Sequence, residues 1–175
     1  MVTLRTLAVL STHDEHRDAA LAEYAAESGP ARPLRRLRDC VLDATRLWPT
    51  TPVILRDSLV PTAWSDDRGS HTIPAGTGFA VVAAAFHRDD GLPFAHTFTP
   101  EIWSDGRADT HPALVPFSAG PARCPGENLV LLVTSSMLGA LLSRGGFDVT
   151  SRVRPTPHAP MPATLDHFGL TFAVR

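Results

Sequence analysis

Apolar positions recur with a helical period in the first third of the chain and merge into one apolar run towards its end. Thr12 and Glu15 are spaced as a capping box that would start a first helix, over Asp14–Ala26. Ser28-Gly29-Pro30 stops it. Pro33 opens a second helix over Leu34–Leu47, where Leu34, Leu37, Val41 and Ala44 share a stripe and Trp48-Pro49 ends the run. Residues 52–60 and 77–82 read as strands, with Ile73-Pro74-Ala75-Gly76 as the turn before the latter. From Asp90 to Pro116 the chain is rich in Pro, Gly, Asp and His, and no period is clean. Leu129–Leu142 is almost wholly apolar, which predicts a helix buried on every side. Phe147–Val153 and Gly169–Val174 then pair as a small antiparallel hairpin. The expected fold class is mainly α with small β-sheets.

Composition narrows the function without naming it. The 175 residues, 43% of them hydrophobic, suffice for one core or one layer of a larger one. A net charge of −2 without a long run of one sign excludes nucleic acid and anionic membrane as expected partners. No apolar stretch approaches the roughly 20 residues of a membrane span. Met1–Leu10 is mildly apolar, but no small-residue cleavage site follows, so it is not read as a signal peptide. Two cysteines, Cys40 and Cys124, make no disulfide framework and fit a reducing, cytoplasmic setting.

The stretch that carries chemistry is Pro116–Leu129, PFSAGPARCPGENL. Gly120 and Gly126 permit positive φ or close backbone approach, and Pro125 suits the first position of the apolar helix. Cys124 is thus expected at or next to a helix N-cap, where unpaired N–H groups favour a thiolate, with Arg123 alongside. One reading is a soft-ligand metal site; with no second Cys or His at ligand spacing, a lone sulfur suits an iron already nearly saturated, such as that of haem. The other is an ordinary buried cysteine before a helix. Four other sites have plain readings. Asp43 and Arg46 are helical neighbours opposite the Leu37/Val41 stripe, and on spacing alone they form a solvated ion pair. Arg56 reads as an exposed strand cation, and His13 and His16 as part of a solvated first helical turn. Cys40 reads as a small core residue.

Phe117-x-x-Gly120-x-x-x-Cys124-x-Gly126 resembles the cysteine-loop signature of cytochromes P450, spacing for spacing. Cys40–Thr50 is similar to that family's K-helix segment. The Gly69…Ile73-Pro74-Ala75-Gly76-Thr77 turn, His87-Arg88-Asp89 and Phe98-x-Pro100-Glu101-x-Trp103 follow in the family's order. The resemblance covers roughly residues 10–175 and implies that residues 1–175 are the C-terminal part of a P450 domain. It implies Cys124 as thiolate ligand of haem b (iron protoporphyrin IX), with Phe117, Gly120, Arg123 and Gly126 around it. Arg56 would pair with a haem propionate, and Asp43 and Arg46 would form a buried pair fixing the helix to the segment before the cysteine loop. The implied activity is hydroxylation or epoxidation of an apolar small molecule, with electrons from a ferredoxin-type or flavoprotein donor.

Departures accompany the matches. The K-helix acid is Asp43 rather than Glu, and Ile102 stands where the family often has an arginine, which Arg107 would have to replace. The residue two before the cysteine is Ala122, not a basic one. These changes are expected to weaken the ion-pair network. By the same resemblance the chain begins at the end of the long distal helix, and no acid–alcohol pair occurs in Met1–Ser11. Two alternatives stand beside the monooxygenase: a truncated remnant that binds haem weakly or not at all, and an unrelated α+β interaction module.

Overall fold

The computed structural model describes residues 1–29 and 32–175. Among these residues, five α-helices and three two-stranded antiparallel sheets alternate with long irregular stretches. Helix α1 (Val2–Leu10) precedes α2 (Asp14–Ala26), which has the expected bounds. The Thr12–Glu15 capping box does not form: His13 is the N-cap, and the Thr12 hydroxyl donates back to the Ala8 and Val9 carbonyls. Gly29 turns the chain with φ 94°, while Pro30, the last residue of the expected stop, lies outside the described residues. Helix α3 (Arg35–Leu47) follows Leu34, itself buried and left-handed at φ 42°. The first turn of α3 is capped from another helix, because the Glu23 carboxylate accepts from the Arg36 amide at 3.0 and 3.2 Å.

Strands β1 (Ile54–Asp57) and β4 (Gly78–Val81) pair in the register Arg56 opposite Phe79. They are shorter than the apolar runs 52–60 and 77–82. Between them β2 (Thr62–Asp66) and β3 (Gly69–Ile73) form an exposed hairpin that the apolar pattern missed, since its residues are mostly polar on both faces. The chain then folds into the short helix α4 (Ala83–His87). The irregular stretch that follows contains 3₁₀ turns at Pro100–Trp103 and Ala108–Thr110. Helix α5 (Glu127–Leu142) leads to β5 (Phe147–Val149), which pairs with β6 (Phe172–Val174) as expected, over a shorter span.

The main core joins α1, α3 and α5 through Leu7, Leu10, Leu37, Val41, Leu131 and Leu138. Burial of such side chains contributes roughly 1.5–3 kcal/mol each. Helix α5 departs from expectation. Leu131, Ser135, Leu138 and Leu142 face the core, but Leu129, Val133 and Met137, four residues apart, remain on the surface. At Gly139 the Tyr24 ring of α2 lies where a β-carbon would project, so these helices meet at a point only glycine admits. The irregular tail is held by donors from the opening helices and α4. Arg5 reaches the Leu165 carbonyl, Trp48 the Pro162 carbonyl, and Arg88 the carbonyls of Met161 and Pro162.

Candidate functional site

Helix α3 is buried on all sides in its second half, because the strand-free segment 87–103 folds over the face opposite Leu37 and Val41. Asp43 and Arg46 are both fully buried there, so the solvated-pair reading fails. The guanidinium and carboxylate meet as a fork, Nε to Oδ1 at 2.6 Å and Nη2 to Oδ2 at 3.2 Å. Arg46 spends its other donors on backbone: Nη1 on the carbonyls of His87 and Ala95, Nη2 on that of Thr97. All five of its N–H groups are thereby used. Asp43 also accepts from the Thr99 amide at 2.7 Å and the Trp103 indole at 3.4 Å. The expected weakening of the network is not seen. Ile102 packs in a small cluster with Phe94 and Leu114 and leaves no charge unpaired, while Arg107 pairs outside with Asp105.

His87 continues this network towards the cysteine loop. Its Nε2 accepts from the Val115 amide at 2.9 Å, which leaves Nδ1 to donate to the Arg46 carbonyl at 3.2 Å. Burial, with the Arg46 charge adding to it, lowers its pKa to about 4. The ring is therefore neutral at pH 7 and ties α3 to Val115, two residues before Phe117.

The loop itself is closed by the Cys124 amide, which donates to the Phe117 carbonyl at 2.9 Å. Ser118 and Gly120 inside it are left-handed, at φ 63° and 64°. Gly120 takes that conformation without cost, whereas at Ser118 it is strained. The α5 helix starts later than expected: Gly126 is the N-cap and Pro125 precedes it, so Cys124 lies two residues before the cap. A β-carbon on Gly126 would sit 3.8 Å from the Cys124 sulfur.

A cavity of about 550 Å³ opens beside Cys124. Its walls are mainly apolar, from Val2, Val53, Ile54, Leu55, Phe117 and Val130, with Arg56 on its margin. The Arg56 guanidinium donates to the Leu55 carbonyl at 2.7 Å and the Ser118 hydroxyl at 2.6 Å, and among the described residues no carboxylate pairs with it. Cys124, Phe117 and Arg56 are thus brought together. Arg123 is not: it is exposed, paired with Glu127 at 2.6 Å, and absent from the cavity wall that Ala122 reaches. Gly120 and Gly126 shape the loop rather than line the cavity. Cys40 is buried in α3, where burial pushes its thiol up. His13 and His16 are not simply solvated, since both rings stand edge-on to Phe98 and His16 reaches Glu101 at 3.3 Å. Sequence reasoning gave no role to His87, Thr99, Trp103 or Ser118. Of these His87 and Trp103 left a signal, in the His87-Arg88-Asp89 triplet and at the end of Phe98-x-Pro100-Glu101-x-Trp103.

Comparison with known proteins agrees with this geometry. The family model for cytochrome P450 matches residues 34–167. Cytochrome P450 4c3 of Drosophila melanogaster is 26% identical over 84% of this chain and 29% of its own length. Cyclooctat-9-en-7-ol 5-monooxygenase of Streptomyces melanosporofaciens is 33% identical over 71% of this chain and 26% of its own length. A crystal structure of a cytochrome P450 superposes with a TM-score of 0.76 at 23% identity, covering 99% of this chain and 41% of that one. The chain belongs to the cytochrome P450 family, and its mixed architecture of helices and small antiparallel sheets is a segment of that fold. It spans about a quarter to a third of the length of the curated relatives it matches. No helix among the described residues is long and apolar enough to cross a membrane.

Proposed function

We propose that residues 1–175 form the C-terminal, proximal part of a haem-thiolate monooxygenase, with Cys124 as the iron ligand. The observation that supports this reading most is the sharing of one apolar cavity by the Cys124 sulfur and a guanidinium without a carboxylate partner. These groups suit an iron porphyrin. A soft sulfur matches the metal, apolar walls match the macrocycle faces, and Arg56 matches an anionic edge. Haem b, held without a covalent link, is the form expected.

Cys124 would hold the iron, and Arg56 would hold a propionate. Phe117 would exclude water from the sulfur, and the Phe117–Cys124 backbone bond would keep the loop closed around it. Asp43, Arg46 and His87 would fix the segment that enters the loop. Haem bound through a thiolate supplies oxygen activation for hydroxylation or epoxidation of an apolar small molecule. Electrons would come from a ferredoxin-type or flavoprotein donor approaching the exposed side of the loop, near Arg123. A cytoplasmic setting suits the two free thiols.

A second reading, a remnant that holds haem weakly and does not catalyse, is favoured by one feature. Leu55 of the cavity wall is 73% exposed, so this wall stands open. Haem titration decides between them. The parent chain and Cys40→Ser should give the reduced, CO-bound Soret band of a thiolate haem, and Cys124→Ser should not. The opposite behaviour of the two variants refutes the ligand assignment, and weak binding without that band in the parent supports the remnant.

A further inference from the structure

Ser118 is the one non-glycine residue of the cysteine loop held in the left-handed region, and its hydroxyl accepts from Arg56 Nη2 at 2.6 Å. That contact joins residues 62 positions apart, on β1 and on the loop that carries Cys124. Asparagine or glycine would take this backbone conformation at less cost. A serine there is best explained by its oxygen. Resting on the haem reading above, we propose that Ser118 is a positioning residue that, together with Arg56, forms a two-part clamp for a carboxylate of the bound group.

The donor inventory supports the clamp. Arg56 commits one Nη1 hydrogen to the Leu55 carbonyl and one Nη2 hydrogen to Ser118. Among the described residues its Nε–H and one hydrogen on each Nη remain available. The Ser118 oxygen accepts from Arg56, and its own O–H has no acceptor among the described residues. Both residues line the cavity that contains Cys124, and both also border an adjoining cavity of about 310 Å³ lined by Ile54, Val81, Phe86 and Val115. The tether therefore stands between the two spaces and stops the arginine from swinging away from the sulfur's side. A carboxylate there receives charged N–H donors from Arg56 and a hydroxyl from Ser118. Neither residue must be ordered at the moment of binding, which lowers the entropic cost.

The test is Soret titration of the whole chain with iron protoporphyrin IX and, in parallel, with its dimethyl ester, which keeps the macrocycle and lacks the carboxylates. Ser118→Gly removes the hydroxyl and relieves the backbone, so a purely conformational role predicts unchanged or tighter binding of both probes. The clamp predicts that Ser118→Gly weakens binding of the diacid roughly tenfold, as for loss of one hydrogen bond to a charged group, and leaves the diester unaffected. In Arg56→Gln, which has lost the partner, adding Ser118→Gly should cost the diacid much less. Equal weakening of both probes, or of neither, overturns the proposal while leaving the Cys124 assignment intact. A parent chain whose titration is indifferent to Cys124→Ser overturns both.

Discussion

Arg46→Ala takes one guanidinium from a site where neither it nor Asp43 touches solvent. The Asp43 carboxylate keeps the Thr99 amide and the Trp103 indole but loses its counter-charge. The carbonyls of His87, Ala95 and Thr97 lose the donors that hold them. Breaking a buried ion pair by deleting one partner costs about 3–5 kcal/mol, and each carbonyl left dry adds to it. Water entering the space left by the side chain offsets part of this. Against a total stability of about 5–15 kcal/mol, a loss at the upper end unfolds a large fraction of molecules. For a chain of this length it lowers the melting temperature by roughly 10 °C. Thermal and urea melts of parent and variant measure it. Asp43→Leu/Arg46→Leu should recover part of the loss, since no charge is left alone. It should remain well below the parent, because the three carbonyls and the Thr99 amide still lack partners. An Arg46→Ala melt within about 1 kcal/mol of the parent, the size of a surface pair, refutes the reasoning.

Two further outcomes are expected. The His87 imidazole is held near pKa 4, against 6.5 when unfolded, so the unfolded chain binds the extra proton first; stability falls as pH drops through that window, by about 3 kcal/mol in all. The Asp39 carboxyl, raised to about 6 mainly by burial, acts in the opposite sense and offsets much of this, so urea midpoints between pH 7 and 4.5 should be compared with those of His87→Gln, which on acidification must lose less stability than the parent, or gain it. Gly139→Ala gains helix propensity but drives a methyl into the Tyr24 ring, and a net loss of about 1–3 kcal/mol is expected; a more stable variant would show that the ring moves freely.

Helices announced themselves where one face is apolar and the other is not, as in Arg35–Leu47, whose Leu37, Val41 and Ala44 stripe is buried. The Thr62–Ile73 hairpin did not, because a sheet exposed on both faces has no hydrophobic alternation. The largely apolar composition of α5 suggested burial all round, yet composition does not say which neighbours exist, and Leu129, Val133 and Met137 stay about half exposed or more. Spacing picked out Asp43 and Arg46 as neighbours but not their burial, which depends on residues about 40 to 60 positions away. The cysteine loop was legible because its glycines and proline mark backbone that few sequences can adopt. The Ser118 contact to Arg56 was not, since no local pattern links a loop hydroxyl to a strand 62 residues earlier.

Arg46 bonds to the backbone carbonyls of Ala95 and Thr97, not to their side chains. An irregular segment is thus held in shape by a partner indifferent to what that segment's residues are. Substitutions at the exposed position 97 that keep the main-chain path should be tolerated, so drift in sequence can proceed there without drift in geometry. Constraint is concentrated instead in one side chain on a helix, where a single codon change undoes what many changes in the loop would not.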